Sequence, residues 1–130
     1  MAKKQAAVRL SAGELEIMAM LWEEGALTLA QAHQQFDRYG RPISYPTMQT
    51  RLNRMVAKGF LSRDDARPAV YRAAVSRQQV SAGHLGQLVD KVSRQSVAPL
   101  VAQLITERPL TADEITELKR LLEEVEKKTR

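Results

Sequence analysis

ISYPTMQTRLNRMVAKGFLSRDDARPAVYRA, residues 43–73, is the stretch on which the fold turns. The hydroxyl of Ser44 can accept from the free amides of a first helical turn, and Pro46 is tolerated there because those amides have no intrahelical partner. Gly59 ends the segment. Between them Met48, Leu52, Met55 and Val56 recur at i, i+4, i+7 and i+8, one apolar stripe at helical period. The other face is left to Thr47, Gln49, Thr50, Arg51, Asn53, Arg54 and Lys58. Beyond Gly59, Phe60–Arg63 and Ala69–Ala73 flank the polar turn Asp64–Pro68 and predict a hairpin. Val70/Arg72 and Tyr71/Ala73 separate cleanly onto two faces, the first flank only in part.

The side chains on that helix face suit the edges and phosphates of DNA. Arg can clamp the two major-groove acceptors of guanine, Gln and Asn can pair with adenine, and a Thr methyl can touch thymine. The same set also makes an ordinary solvated helix face. Local charge separates the two readings. From Arg38 to Arg72 there are eight Lys or Arg against Asp64 and Asp65, a net of +6, while the rest of the chain holds 12 basic and 13 acidic residues. Basicity confined to one segment is the footprint expected of phosphate binding. Ser44, Tyr45, Thr47, Gln49, Thr50, Arg51, Asn53, Arg54, Lys58, Arg67 and Arg72 are therefore the candidate DNA-binding residues. Arg54 has a second option, pairing with an acid of the first helix. Arg67 at the hairpin tip is placed either to reach a minor groove or backbone or simply to sit in solvent.

Two helices precede this segment, each announced by a capping box: Ser11 with Glu14, and Thr28 with Gln31. The first opens Leu15, Ile17, Met18, Leu21 and Trp22 and closes at Gly25. The second runs from Leu29 to Phe36, and Tyr39-Gly40-Arg41-Pro42 breaks the chain before Ser44. Helix, short helix, turn, helix, hairpin is the order of a winged helix-turn-helix. The expected class is mainly α: three helices plus a β-hairpin wing over residues 1–75, then a helical dimerisation domain over residues 76–130.

After Val75 three amphipathic helices follow with no strand signal. Leu85, Leu88, Val89 and Val92 mark the first; Val97, Leu100, Val101, Leu104 and Ile105 the second, with Pro99 in its first turn. Thr111 with Glu114 opens the third, whose stripe is Ile115, Leu118, Leu121, Leu122 and Val125, with Lys127, Lys128 and Arg130 at the end that favours cations. Three short helices are too few to enclose a core of their own. A second copy is the simplest cover, because a two-fold dimer presents two recognition helices with the symmetry of a palindrome. Leu85, Leu88, Val92, Leu100, Leu104, Ile115, Leu118 and Leu122 are the expected interface; folding back onto the N-terminal domain is the other arrangement.

These residues resemble the penicillinase repressor (BlaI/MecI) family of winged-helix regulators from Leu10 to Lys128. The most specific pieces are Glu14-Leu15-Glu16-Ile17-Met18 followed by Leu21-Trp22, Thr47-Met48-Gln49-Thr50 with Arg54 and Lys58-Gly59, Tyr71-Arg72 before Val75-Ser76, and Leu110-Thr111 with Glu114, Leu118 and Leu121-Leu122. The resemblance implies a bacterial, cytoplasmic, homodimeric repressor on a palindromic operator. β-Lactam resistance or a related stress response is the process it brings to mind, and a membrane sensor-protease or its downstream protease the further partner. There are two departures. Better-known members are cleaved at an Asn-Phe bond in the helix matching Val97–Ile105, where this chain has Gln103-Leu104. Copper-responsive members carry a C-terminal cysteine cluster, whereas this chain has no Cys and cannot sense copper through thiolates.

Composition excludes more than it identifies. No apolar run approaches the roughly 18–20 residues that span a bilayer, and Met1–Arg9 lacks the apolar segment of a signal peptide, so no membrane insertion is expected. His33 and His84 lie far apart on different expected helices without acidic neighbours at ligand spacing, which argues against a metal site. His33 is expected at the surface of the second helix, and His84 either borders the dimer interface or is a plain structural or exposed histidine. Trp22 is expected in the core, and Lys3, Lys4 and Arg9 form either a basic arm or a disordered start. Lacking a phosphate loop or nucleophile elbow, the chain is expected to be no enzyme and to need no cofactor. The rival class is a winged-helix adaptor that binds protein without DNA.

Overall fold

Four capping boxes start four of the six helices in a computed structural model that describes residues 9–92, 94 and 96–129. Lys3 and Lys4 lie outside that range. Ser11 and Glu14 satisfy each other's amides at the start of α1 (Ala12–Glu24), and Thr28 and Gln31 do so for α2 (Leu29–Gln35). Thr111 and Glu114 open α6 (Ala112–Thr129) at 3.1 Å in both directions. The fourth box, Ser76 with Gln79, opens α4 (Arg77–Val92). Recognition-helix candidate α3 (Tyr45–Ala57) has Ser44 as its cap. α5 (Ala98–Glu107) carries Pro99 in its first turn and has no side-chain cap.

At the far end of α3 the chain makes a Schellman turn. The amide of Phe60 donates to the carbonyl of Met55 and that of Gly59 to Val56, both at 3.0 Å, with Gly59 at φ 87°. Only a residue without Cβ adopts that backbone cheaply. The turn reverses the chain into β2 (Leu61–Arg63), which pairs antiparallel with β3 (Val70–Ala73) as the expected hairpin. A third strand, β1 (Leu27–Thr28), pairs with the other edge of β3 through Leu27 opposite Tyr71, giving the order β1-β3-β2. Two residues are too few to show an alternating pattern, so this strand has no signature in the sequence.

The N-terminal unit extends to Gln87, past the Val75–Arg77 junction, because α4 brings Val80 and Gly83 into it. Its core joins Ile17, Met18, Met20 and Leu21 of α1, Leu27, Ala32 and Phe36, Met48, Leu52 and Met55 of α3, and Leu61 and Tyr71 of the sheet. Burial of such a side chain contributes about 1.5–3 kcal/mol. Trp22 is half-buried against this core and donates its indole N–H to the carbonyl of Val75 at 3.0 Å, with Arg77 over its ring at 5.4 Å. His84 accepts the amide of Leu10 on Nε2 at 3.1 Å.

In the second unit, from Leu88, the regular elements among the described residues are all helices. No residue of α5 or α6 is buried. Their stripes instead line an apolar groove of about 640 Å³ that includes Val101, Ile105, Ile115, Leu118, Leu122 and Val125. Mainly helical architecture with a small antiparallel sheet, and a hairpin directly after the third helix, is the winged helix-turn-helix fold expected from the sequence. Among the described residues no helix is long and apolar enough to cross a membrane.

Candidate nucleic-acid interface

The N-terminus of α3 is held from below. His33, expected at the surface, is half-buried. Its Nε2 lies 2.8 Å from the carbonyl of Ile43; a carbonyl only accepts, so the ring donates there. The same ring meets Tyr45 edge-on at 5.4 Å. Ser44 Oγ accepts the amide of Thr47 at 3.2 Å and donates to Thr47 Oγ1 at 2.8 Å. Beyond these capping residues, Gln49 and Thr50 stand exposed on the outer face.

Arg51 and Arg54 form the common wall of two surface clefts. One, of about 230 Å³, is closed by Ser11, Gly13, Glu14 and Met55; the other, of about 270 Å³, by Pro46, Thr47 and Thr50. Arg51 lies across the first turn of α1, where a Cβ on Gly13 would come within 3.2 Å of its Nη1. Glycine there leaves room for the guanidinium. Neither arginine forms an ion pair among the described residues; Arg51 is half-buried against α1 and Arg54 is exposed.

Lys58 differs from them. Its ammonium pairs with Glu14 Oε2 at 2.8 Å, so the partner that the sequence allowed for Arg54 belongs to Lys58. Burial pushes the Glu14 carboxyl up, but hydrogen bonds from Lys58 and from the Ser11 amide outweigh it and hold the group below the ordinary carboxylate range.

The wing is organised by Asp64. Its Oδ1 accepts the amides of Ala66 and Val70, each at 3.1 Å, which lowers its pKa. Its Oδ2 meets Arg72 at 3.4 Å. Arg67 projects exposed from the tip of this turn, beside the cis peptide to Pro68. Asn53 Oδ1 accepts from Arg63 Nη1 at 3.0 Å and from the hydroxyl of Tyr71 at 3.1 Å. All eleven candidates therefore lie on α3, its cap or the wing, with the side chains of Ser44, Thr47, Asn53, Lys58 and Arg72 already bonded within the chain. The partners of Asn53 are 10 and 18 residues away and that of Lys58 is 44, beyond the reach of periodicity.

The other predicted set stands on α4, α5 and α6. Leu85, Leu88, Val92, Leu104, Ile115, Leu118 and Leu122 are exposed, Leu122 at 69%, and Leu100 is half-buried. Gln103 and Leu104 lie in the middle of α5, both exposed.

A hairpin following a capped, polar-faced third helix defines the winged helix-turn-helix class. Within it, the model of the penicillinase repressor family matches residues 10–124, and the chain belongs to that family of transcriptional regulators. No curated protein matches the chain. Among solved structures it is similar to a MarR family protein from Bacillus stearothermophilus (16% identity, covering 92% of this chain and 75% of that one, TM-score 0.48). It is also similar to wild-type MarR from E. coli (20% identity, 89% and 77%, TM-score 0.46). A MarR family transcriptional regulator from Silicibacter pomeroyi gives 18% identity, 93% and 71%, with a TM-score of 0.44. Likeness of this degree assigns neither ligand nor operator.

Proposed function

We propose that this regulator is a homodimeric repressor that binds a palindromic operator, with α3 in the major groove and the wing against the adjoining backbone. The observation that carries the reading is the outer face of α3. Thr47, Gln49 and Thr50 stand exposed there beside Arg51 and Arg54, two arginines without an acidic partner among the described residues. In this reading those arginines supply phosphate or guanine contacts, Thr47, Gln49 and Thr50 read base edges, and Arg67 extends the contact from the wing. Ser44 and Tyr45 fix the start of the helix, Asn53 either reads or positions, and Lys58 and Arg72 are reserve cations.

A second copy is proposed as the cover for the apolar residues of α4, α5 and α6, because two copies would place two α3 helices with the symmetry of the operator. Control of β-lactam resistance or a related stress response, a cytoplasmic location, and release by a membrane sensor-protease or its downstream protease are proposed from family membership. Cutting at the family's usual position is not part of this proposal, because Gln103–Leu104 stands in α5 where better-known members have the Asn-Phe bond.

The test is a gel shift with DNA from upstream of the chain's own gene, at two salt concentrations, with unrelated DNA as competitor. Tight binding that resists competitor and weakens steeply with salt is expected, since phosphate contacts release counterions. Weak binding equal on all DNA, or binding indifferent to salt, would overturn the repressor reading in favour of a protein-binding adaptor.

A further inference from the structure

We infer that Asn53 is a positioning residue that sets the wing against α3, and that it reads no base. The inference rests on the DNA-binding reading for its consequence, though not for its geometry. Arg63 and Tyr71 face each other directly across the β2–β3 ladder, and both donate to the single Oδ1 of Asn53. One oxygen on the recognition helix thus holds both strands of the wing at the same rung. Arg63 is donor only, which fixes the amide with its oxygen toward the wing.

Two lone pairs are what an amide oxygen has to offer, and here both are filled. Bidentate pairing of Asn with adenine needs that same oxygen to accept from the exocyclic amine while the NH₂ donates to the ring. Asn53 cannot do this without releasing Arg63 or Tyr71. The far end of the link is firm: the body of Tyr71 is buried, and its backbone sits opposite Leu27 of β1. Arg67 lies in the loop between the two strands that Asn53 holds. Where this loop points therefore depends on the link, so Asn53 acts on DNA through the wing.

The experiment uses the full chain and the variants Asn53→Ala, Tyr71→Phe, Arg67→Ala and Asn53→Ala with Arg67→Ala. Alanine is the strongest helix former, so α3 persists in the first; the second removes only a hydroxyl. In the free protein, amide hydrogen exchange in residues 61–63 and 70–73 should quicken in Asn53→Ala and Tyr71→Phe, with residues 48–56 unchanged. On the upstream DNA, Arg67→Ala should weaken wild-type binding about fivefold, as loss of one Arg contact does. It should add almost nothing in the Asn53→Ala background, because residues acting through one link are not additive. The ranking of single base-pair changes in the DNA should be the same for Asn53→Ala as for wild type.

Multiplying losses, together with preference erased at one base pair, would make Asn53 a base reader and overturn the inference. Unchanged exchange in the wing would also overturn it. If wild type binds all DNA equally, the repressor reading fails while the exchange measurement still decides the role of Asn53.

Discussion

α3 and α6 have the same design and opposite fates. Each is a capped amphipathic helix, with Met48, Leu52 and Met55 on one stripe and Ile115, Leu118, Leu122 and Val125 on the other. On α3 Met48, Leu52 and Met55 are fully buried in the N-terminal core, with Val56 half-buried against it. The stripe of α6 has no buried member. Periodicity thus identifies a face that needs covering, but says nothing of what covers it. The N-terminal unit closes its core with its own elements; the C-terminal helices leave theirs open.

The sharpest way to break this contrast is at Leu118. Leu118→Asp places a charge in the open stripe and should abolish the proposed dimer, read as a monomer in sedimentation with operator affinity lost along with it; a variant that stays dimeric removes Leu118 from the interface. In the closed unit, Phe36→Ala should lower stability by about 3–5 kcal/mol in urea unfolding, the loss expected when a fully buried aromatic leaves a cavity. That loss should not depend on protein concentration, whereas the wild-type melting temperature should rise with concentration if a second copy covers α6.

Arg54→Ala should leave unfolding almost unchanged and weaken DNA binding by about 1–3 kcal/mol. An equal drop on all DNA would mark a phosphate contact, and a drop confined to one base pair would mark a guanine. The smallest effect is at Glu14. Its folded pKa lies below the unfolded value, so as pH falls the unfolded chain takes up the proton first. The stabilisation is complete above the ordinary carboxylate range and lost as pH drops through the folded pKa. Glu14→Gln should therefore cost less than about 1 kcal/mol at neutral pH, as half-exposed ion pairs do, and nothing in acid. A penalty that persists in acid would mean that Glu14 acts as a cap and not through its charge.

How legible a feature was in the sequence follows its range along the chain. The boxes at Ser11, Thr28 and Thr111, the cap at Ser44 and the turn at Gly59 are encoded within four residues, and each forms as read. Ser76 with Gln79 carries the same signal, but it stands well ahead of the apolar stripe that begins at Leu85, so the start of α4 is not marked by periodicity. Met20 is buried outside the stripe read for α1, since that helix is covered over a wider arc than one stripe. β1 escaped because Thr28 shows its role as helix cap more plainly than its place in a two-residue strand. On α3, periodicity separated the candidate face from the buried stripe of Met48, Leu52 and Met55. It gave no hint that Asn53 and Lys58 are engaged from across the fold, nor that His33 supports Ile43.

The link between Lys58 and Glu14 sets this lysine apart in any exchange with a polyanion. In the proposed complex Arg51 and Arg54, which have no acidic partner among the described residues, would each neutralise a phosphate and release its condensed counterions into bulk solution. Lys58 already has its counter-charge, tethered to the same chain, so a phosphate must displace a carboxylate that cannot diffuse away. Little entropy is released in that swap. Lys58 should therefore contribute less than its neighbours to the salt dependence of binding, and a proton on Glu14 does for it what diluting the salt does for them.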